Sequence, residues 1–456
     1  MKRRVFLKGC AASLAGFARP SVLSSNACAA LPAGMPDTSG MNVLLILVEG
    51  LAANAVGCYG NSQVRTPNLD RFATRAMRFT RCYCQTPMSD LSRHSLFTSL
   101  RPAPTDVAPD ASLAGARSLP EVLRQYGFRD VKMGKPCGGA QRRNSSDHAK
   151  GCHDACEHRS AAERKAKEGS KNRRVTEILA ESAEAGSPFF ISVDFSSLHM
   201  PLRCPATFLD LYDPSRIPYP QAPTCRDRDI PAVARRFGRN DIVLRRDDDG
   251  PMSEEDARQT VLAYYACVSF IDAQIGAVLD ALDRAPQCGD TIVGILSNHG
   301  FHLGEHGLWG AQTLFEQSTR VPLLIRVPGV TTRQAVCDEI VELVDLLPTV
   351  CDLLAVPVPD RTEGRSFAPL LHDPLQPWKR AAFTVCAMDD HIGRSVRTKR
   401  WRYADWQSCT TSLRQFELYD LDTDPWEQVN LALHPDYRNE RTILANLLQR
   451  GWKAAQ

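Results

Sequence analysis

The sequence predicts an α/β protein: a large, mainly parallel sheet sandwiched by helices, followed by a small antiparallel sheet at the C-terminal end. Three observations predict it. Continuous apolar runs of strand length recur, helical patterns lie between them, and after Leu370 the chain changes to short strands separated by turn-forming residues. At 456 residues, 43% hydrophobic and 23% charged, the chain is long enough for a substantial core and for more than one domain.

Asn42 to Val48, NVLLILV, is the kind of uninterrupted apolar run that a strand buried on both faces requires. Pro188 to Val193, Thr291 to Leu296 and Val321 to Val327 repeat it. Between these runs, Thr66 to Ala73 offers a Thr cap and a Pro in the first helical turn. Ser253 to Leu282 is the longest helical pattern and opens with the acidic turn Glu254-Glu255-Asp256. Strands alternating with helices place binding sites at the carboxyl ends of the strands. Gln141 to Arg174 is polar nearly throughout, and Pro214 to Asp249 clusters Arg, Asp and Pro, so both read as loops or inserts. Ser395 to Tyr403 and Phe416 to Leu421 read as strands of the terminal sheet, with a final helix over Asn439 to Lys453. The expected division is a leader over 1–30, an α/β domain over 41–370 and a terminal subdomain over 371–456.

The leader carries Lys2-Arg3-Arg4-Val5-Phe6-Leu7-Lys8, a twin-arginine string, and then the mildly apolar Gly9 to Phe17. With Arg19 close behind, it falls short of a spanning length, so no stable membrane anchor is expected. Ala27-Cys28-Ala29 offers small residues for cleavage, which leads to a twin-arginine exporter as partner and a periplasmic or secreted location. Cleavage there removes five cations and no acid, taking the formal charge from +3 to −2. Nucleic-acid binding then has no electrostatic footing. In an oxidising compartment the 14 cysteines beyond the leader are free to pair, and Cys152-His153-Asp154-Ala155-Cys156-Glu157-His158 reads as a surface insert with one local disulfide rather than a metal cluster. Cys82 and Cys84 alternate on an expected strand and so face one side of it.

Thr86 to Pro102, TPMSDLSRHSLFTSLRP, is the stretch where chemistry concentrates. Ser89 stands four positions ahead of Arg93, so the two share a face if a helix begins by Ser89. Ser89 and Ser92 are ordinary N-cap candidates. A hydroxyl at the positive end of a helix with an Arg one turn on is equally a place where an anionic ester binds. At the ends of two expected central strands stand Glu49-Gly50 and Asn298-His299-Gly300, whose acid, amide and imidazole could ligate a cation, with Gly letting the backbone approach, or simply cap turns.

Ser89-Asp90-Leu91-Ser92-Arg93 followed by Phe97-Thr98-Ser99 resembles the C/S-x-P-S-R motif and tail of the sulfatase family, with Leu91 at the Pro position. Further strings are similar to those of that family and in its order, among them Val56-Gly57-Cys58-Tyr59-Gly60, Met133-Gly134-Lys135, Tyr264 to Asp272, Leu303-Gly304-Glu305-His306-Gly307, Arg320-Val321-Pro322 and Asp424-Pro425-Trp426-Glu427. Iduronate- and choline-sulfatase-like members look nearest. The resemblance implies an alkaline-phosphatase-like fold and a sulfuric-ester hydrolase in which Ser89 is oxidised to formylglycine by a maturation enzyme and its hydrate attacks the sulfate. It implies that Arg93 steadies that group, that Lys135 contacts the sulfate, and that His199 of His199-Met200-Pro201 lies near the leaving oxygen. It implies calcium, or another divalent cation, at Glu49, Asn298, His299 and Ser89. Here the family's three carboxylates are reduced to Glu49, Gly138 stands where a His is usual, and Ala311 stands where a Lys is usual. Fewer charged ligands mean weaker calcium binding. The expected substrate is a small-molecule or saccharide sulfate ester. Two other readings stay open: a non-catalytic relative that binds an anionic or sulfated glycan, and a phosphatase with unmodified Ser89, for which the metal ligands are too few. Arg101 and Arg320 are expected to be structural.

Overall fold

The computed structural model describes residues 36–103, 116–134, 158–196, 198, 202–217, 229–236, 253–388 and 390–456. The leader, Lys135, Cys152 to Cys156 and His199 lie outside the described residues. In chain order the strands of the larger sheet begin with β1 (Asn42–Val48), β2 (Met77–Tyr83), β3 (Arg129–Met133), β4 (Phe189–Phe195) and β5 (Thr291–Ser297). A two-stranded ribbon of β6 (His302–Leu303) and β7 (Trp309–Gly310) follows, then β8 (Arg320–Arg326) and β9 (Val336–Glu342).

β1, β4 and β5 are buried at every position, as their continuous apolar sequences require. The seven strands run in the order β3-β4-β1-β5-β8-β2-β9. β4 and β5 flank β1 in parallel, so the carboxyl ends of these three strands meet at one edge. β8 runs antiparallel to both of its neighbours, which makes the sheet mixed at that point. Its apolar run could not reveal this, because burial on both faces asks for the same residues whichever way a strand points.

The helices of the first half are α1 (Pro67–Ala73), α2 (Ser89–Thr98), α3 (Leu119–Gln125), α4 (His158–Ala185), α5 (Ala206–Leu209) and α6 (Glu254–Arg284). Three short ones, α7 (Glu316–Thr319), α8 (Leu346–Leu353) and α9 (Ala368–His372), precede the terminal sheet. Residues of α1, α4 and α6 pack with Leu44, Ile46 and Val48 of β1, while those of α2, α3 and α8 pack with Val43, Leu45 and Leu47. Alternate β1 side chains thus serve two cores, one on each face. α6 is long and apolar enough to cross a membrane, but 83% of its apolar stretch is buried inside the protein, so it is a core helix. Ser253 caps it by accepting the Asp256 N–H, as its acidic start predicts. Thr66 does not cap α1; Asp272 of α6 does, accepting the N–H groups of Asn68 and Leu69 at 3.1 and 2.8 Å.

Two expectations are corrected. The polar segment Gln141 to Arg174 is not loop throughout, since α4 begins at His158 and its later turns bury Val175, Ile178 and Leu179. Ser395 to Tyr403 is not one strand but the bend of a hairpin. The four-stranded terminal sheet is β10 (Ala381–Ala387), β11 (His391–Thr398), β12 (Trp401–Ser408) and β13 (Arg414–Asp420), in that spatial order and antiparallel throughout. The turn at Lys399-Arg400 has no Gly or Asn to announce it. α10 (Arg438–Arg450) closes the chain.

Buried ion pairs tie the two sheets together. Arg101 gives both Nη groups to Glu342 at 2.7 and 2.6 Å, and Lys379, just before β10, reaches the same carboxylate at 2.8 Å. Arg402 of β12, 1% exposed, pairs with Glu427 at 2.6 Å and with Glu316 of α7. Such pairs are costly to break, because either partner alone is a stranded buried charge. Arg320 also pairs with Glu316, at 3.5 Å. Among the described residues, Cys58, Cys82, Cys84, Cys204, Cys288, Cys337 and Cys409 are free thiols. Cys82 and Cys84 lie in the same core, on one side of β2.

Candidate active site at the ends of the central strands

The residues singled out in the sequence converge where β1, β4 and β5 end and α2 begins. Ser89 is the first residue of α2, and the N-cap position before it is Met88, which offers no side-chain cap. Neither serine caps the helix. The Ser89 hydroxyl turns instead to His299 Nε2 at 2.8 Å, and the Ser92 hydroxyl donates to the Asn298 carbonyl at 2.5 Å. The amino end of α2, where the helix dipole is positive, therefore has N–H groups that its N-cap residue does not take.

His299 is oriented from its other side. Its Nδ1 lies 2.8 Å from the Gly300 carbonyl. A carbonyl only accepts, so in the neutral ring Nδ1 carries the proton and Nε2 accepts the Ser89 O–H. Asn298 ties the loop to both neighbours. Its Oδ1 accepts the Gly50 N–H and its Nδ2 donates to the Ser89 carbonyl, each at 3.3 Å. Gly50 has φ +79°, a conformation that suits glycine, and a Cβ there would stand 3.8 Å from the His299 ring. Tyr264 of α6 pins this turn by donating to the Gly50 carbonyl at 2.7 Å. Glu49, 1% exposed, continues the β1–β4 ladder by donating its N–H to Phe195 at 2.8 Å.

Arg93 lies one turn into α2 and is 3% exposed. Its Nη1 pairs with Asp194 Oδ2 of β4 at 2.7 Å, and its Nη2 has no partner among the described residues. Burial pushes the Asp194 carboxyl up, against the opposing pull of Arg93, Lys132 and Lys171. Lys171 of α4 donates its Nζ to the Asp194 carbonyl at 2.5 Å. The sequence did not single out Asp194 or Lys171. The one signal for Asp194 was a lone acid near the end of an otherwise apolar run, and Lys171 was hidden among the charges of a segment read as an insert.

The structure thus brings Ser89, His299 and Asn298 together, with Arg93 one turn away. Lys135 and His199 lie outside the described residues. Ala311, at a position where a Lys is expected, is buried.

The donors at hand do not make a calcium shell. Calcium takes roughly 6 to 8 oxygens. Here the Asn298 amide is engaged at both ends and the His299 Nε2 faces a hydroxyl. Among the described residues no three of His, Cys, Asp and Glu are grouped so as to hold a metal ion.

Comparison with known proteins places these features in context. The family model described as Sulfatase matches residues 41–356, and one described as N-sulphoglucosamine sulphohydrolase, C-terminal, matches residues 304–453. A sulfatase of Formosa agariphila is 27% identical over 90% of this chain and 86% of its own length. The iduronate 2-sulfatase of Mus musculus is 29% identical over 76% of this chain and 75% of its own. A protein solved in complex with its substrate D-glucosamine-2-N,6-O-disulfate superposes with a TM-score of 0.72 at 19% identity, covering 90% of this chain and 97% of that one. The phosphonate monoester hydrolase of Agrobacterium radiobacter gives 0.74 at 22% identity, covering 90% and 95%. At such identities the solved structures speak for the fold alone.

Proposed function

The chain belongs to the sulfatase family, and from that premise we propose that it is an exported sulfuric-ester hydrolase that acts on a sulfated saccharide through a formylglycine formed at Ser89. The observation that carries this reading is the placement of Ser89: first residue of α2, not used as a cap, its Oγ 2.8 Å from His299 Nε2. Sulfatases generally use a formylglycine and a metal ion. Forming the aldehyde takes two protons and two electrons from the Ser89 alcohol, for which the maturation enzyme provides the acceptor. Once hydrated, such an aldehyde supplies an oxygen nucleophile towards sulfur.

This chain's own residues do the rest. His299 Nε2, an acceptor in the neutral ring, takes the proton from the oxygen on residue 89. Arg93 Nη2 and the N–H groups at the start of α2 stabilise the negative sulfuryl oxygens. Lys135 and His199 are proposed as a further sulfate contact and as the group near the leaving oxygen. No step is routed through a cation, since the described donors do not form its shell. Names of relatives, including a Δ4,5-hexuronate-2-O-sulfatase and an N-acetylglucosamine-6-O-sulfatase of Bacteroides thetaiotaomicron, support a saccharide substrate. Export by the twin-arginine route to the periplasm or beyond rests on Arg3-Arg4 and Phe6-Leu7.

Sulfate release from a panel of sulfated saccharides by protein from the native host, lost in Ser89→Ala, tests the reading. A second reading, a sulfated-glycan binder without turnover, draws support from Leu91 in the motif and the buried Ala311. No release from any substrate, with Ser89 unmodified and saccharide binding retained, would favour it.

A further inference from the structure

Arg93 is buried and Arg101 nearly so, but they are used differently. Arg101 commits both Nη groups to Glu342. Arg93, 3% exposed, pairs through Nη1 with Asp194 and leaves Nη2 without a partner among the described residues. A buried charged donor without a partner carries a desolvation cost. Arg101 carries it only at Nε, behind its paired Nη groups. A ligand oxygen at Arg93 Nη2 would remove it there.

Asp194 meets Arg93 through Oδ2, and its Oδ1 has no hydrogen-bond partner among the described residues. It ends β4 on the face shared with its parallel partner Leu47, towards α2. Gly134, at φ +143°, lies against it: a Cβ there would come within 2.3 Å of the Asp194 Cβ and 2.5 Å of Oδ2. Only glycine fits, so the carboxylate is wedged between Gly134 and the guanidinium. On its backbone side the Lys171 Nζ holds the Asp194 carbonyl. The end of β3, β4 itself and helices α2 and α4 therefore converge on one residue, Asp194.

We propose that Asp194 is a positioning residue for Arg93, clamping one arm of the guanidinium so that the other faces a sulfuryl oxygen, with Lys171 holding the clamp from α4. This rests on the sulfate-ester reading above and adds to it a residue that the motif does not contain. An uncharged acceptor of the same shape can do the clamping, whereas a methyl group cannot, which gives the test its contrast.

The experiment titrates inorganic sulfate calorimetrically into the full mature chain, its Asp194→Asn and Asp194→Ala variants and an Arg93→Ala control. In parallel, nitrogen-15 NMR of the arginine side chains follows rotation of the Arg93 guanidinium. The clamp predicts that Asp194→Ala weakens sulfate binding tenfold or more on the scale of one lost charge-assisted hydrogen bond of about 1.5 to 3 kcal/mol, and frees the Arg93 guanidinium to rotate. Asp194→Asn should keep both the affinity and the hindered rotation. Equal losses of affinity in the two variants, tracking equal losses of melting temperature, would show a structural role and overturn the proposal. If Arg93→Ala abolishes sulfate binding while Asp194→Ala leaves it unchanged, only the clamp is wrong. If Arg93→Ala leaves sulfate binding unchanged, the sulfate-ester reading of the pocket fails and the clamp with it.

Discussion

Ser89 Oγ lies 2.8 Å from His299 Nε2, across 210 residues of sequence, and the imidazole is turned to receive it by the Gly300 carbonyl on Nδ1. The pair joins the amino end of α2 to the carboxyl end of β5. His299→Ala removes the only described acceptor of the Ser89 hydroxyl while leaving the β5 ladder in place. The expected outcome is a loss of sulfate release of about 10²-fold or more, with the melting temperature little changed. Undiminished turnover in His299→Ala would remove it from the chemistry.

Cation binding should be weak. Glu49 is the one carboxylate among the candidate ligands Glu49, Asn298 and His299, and the Asn298 amide is already engaged at both ends. Calorimetric titration of the isolated protein with calcium, with and without sulfate, should show weak or no binding in the absence of the anion. Tight anion-free binding that disappears in Glu49→Gln would contradict this and show that the altered ligand set still works.

Acid should destabilise the fold through two buried histidines. Burial lowers His306 from 6.5 to about 4 and His302 well below 6.5. Both are neutral in the native state. As pH falls below about 6.5 the unfolded chain gains protons that the folded chain refuses, so stability is full above that pH and declines towards pH 4. For His306 the lowering amounts to about 3 kcal/mol at most. Urea unfolding between pH 7 and 4.5 should show the decline. His306→Asn, which tolerates the φ of +56° at that position, should make it shallower. An unchanged slope would mean that His306 is not the sensor.

Much of this architecture was legible in the sequence, and what was hidden has physical causes. NVLLILV is the kind of run a strand buried on both faces requires, and β1 begins and ends with it. α4 was obscured because Lys, Arg and Glu are good helix formers that also dominate solvated loops, and its apolar residues Val175, Ile178 and Leu179 begin only after the charged tract. At the site, Ser89, Arg93, Asn298 and His299 were named from the chain, but their mutual contacts were not. A serine at the head of a helix is most often a cap, and only the fold shows that Ser89 and Ser92 both turn to the loop after β5. Asp194 escaped notice because nothing in a strand sequence says which buried acid will find an arginine 101 residues away.

Export can be tested without reference to activity. Replacing both Arg3 and Arg4 by Lys should leave the protein inside the cell, because a twin-arginine exporter reads the pair itself. Secretion unchanged by that swap would reject this route.

The central claim is that Ser89 becomes an aldehyde and that turnover depends on it. Peptide mass mapping of protein from the native host, on the same preparation whose sulfate release is measured, tests it most directly. The account predicts a Ser89 peptide lighter by two hydrogens, in an amount that scales with activity. A fully active preparation in which Ser89 is entirely unmodified would contradict it.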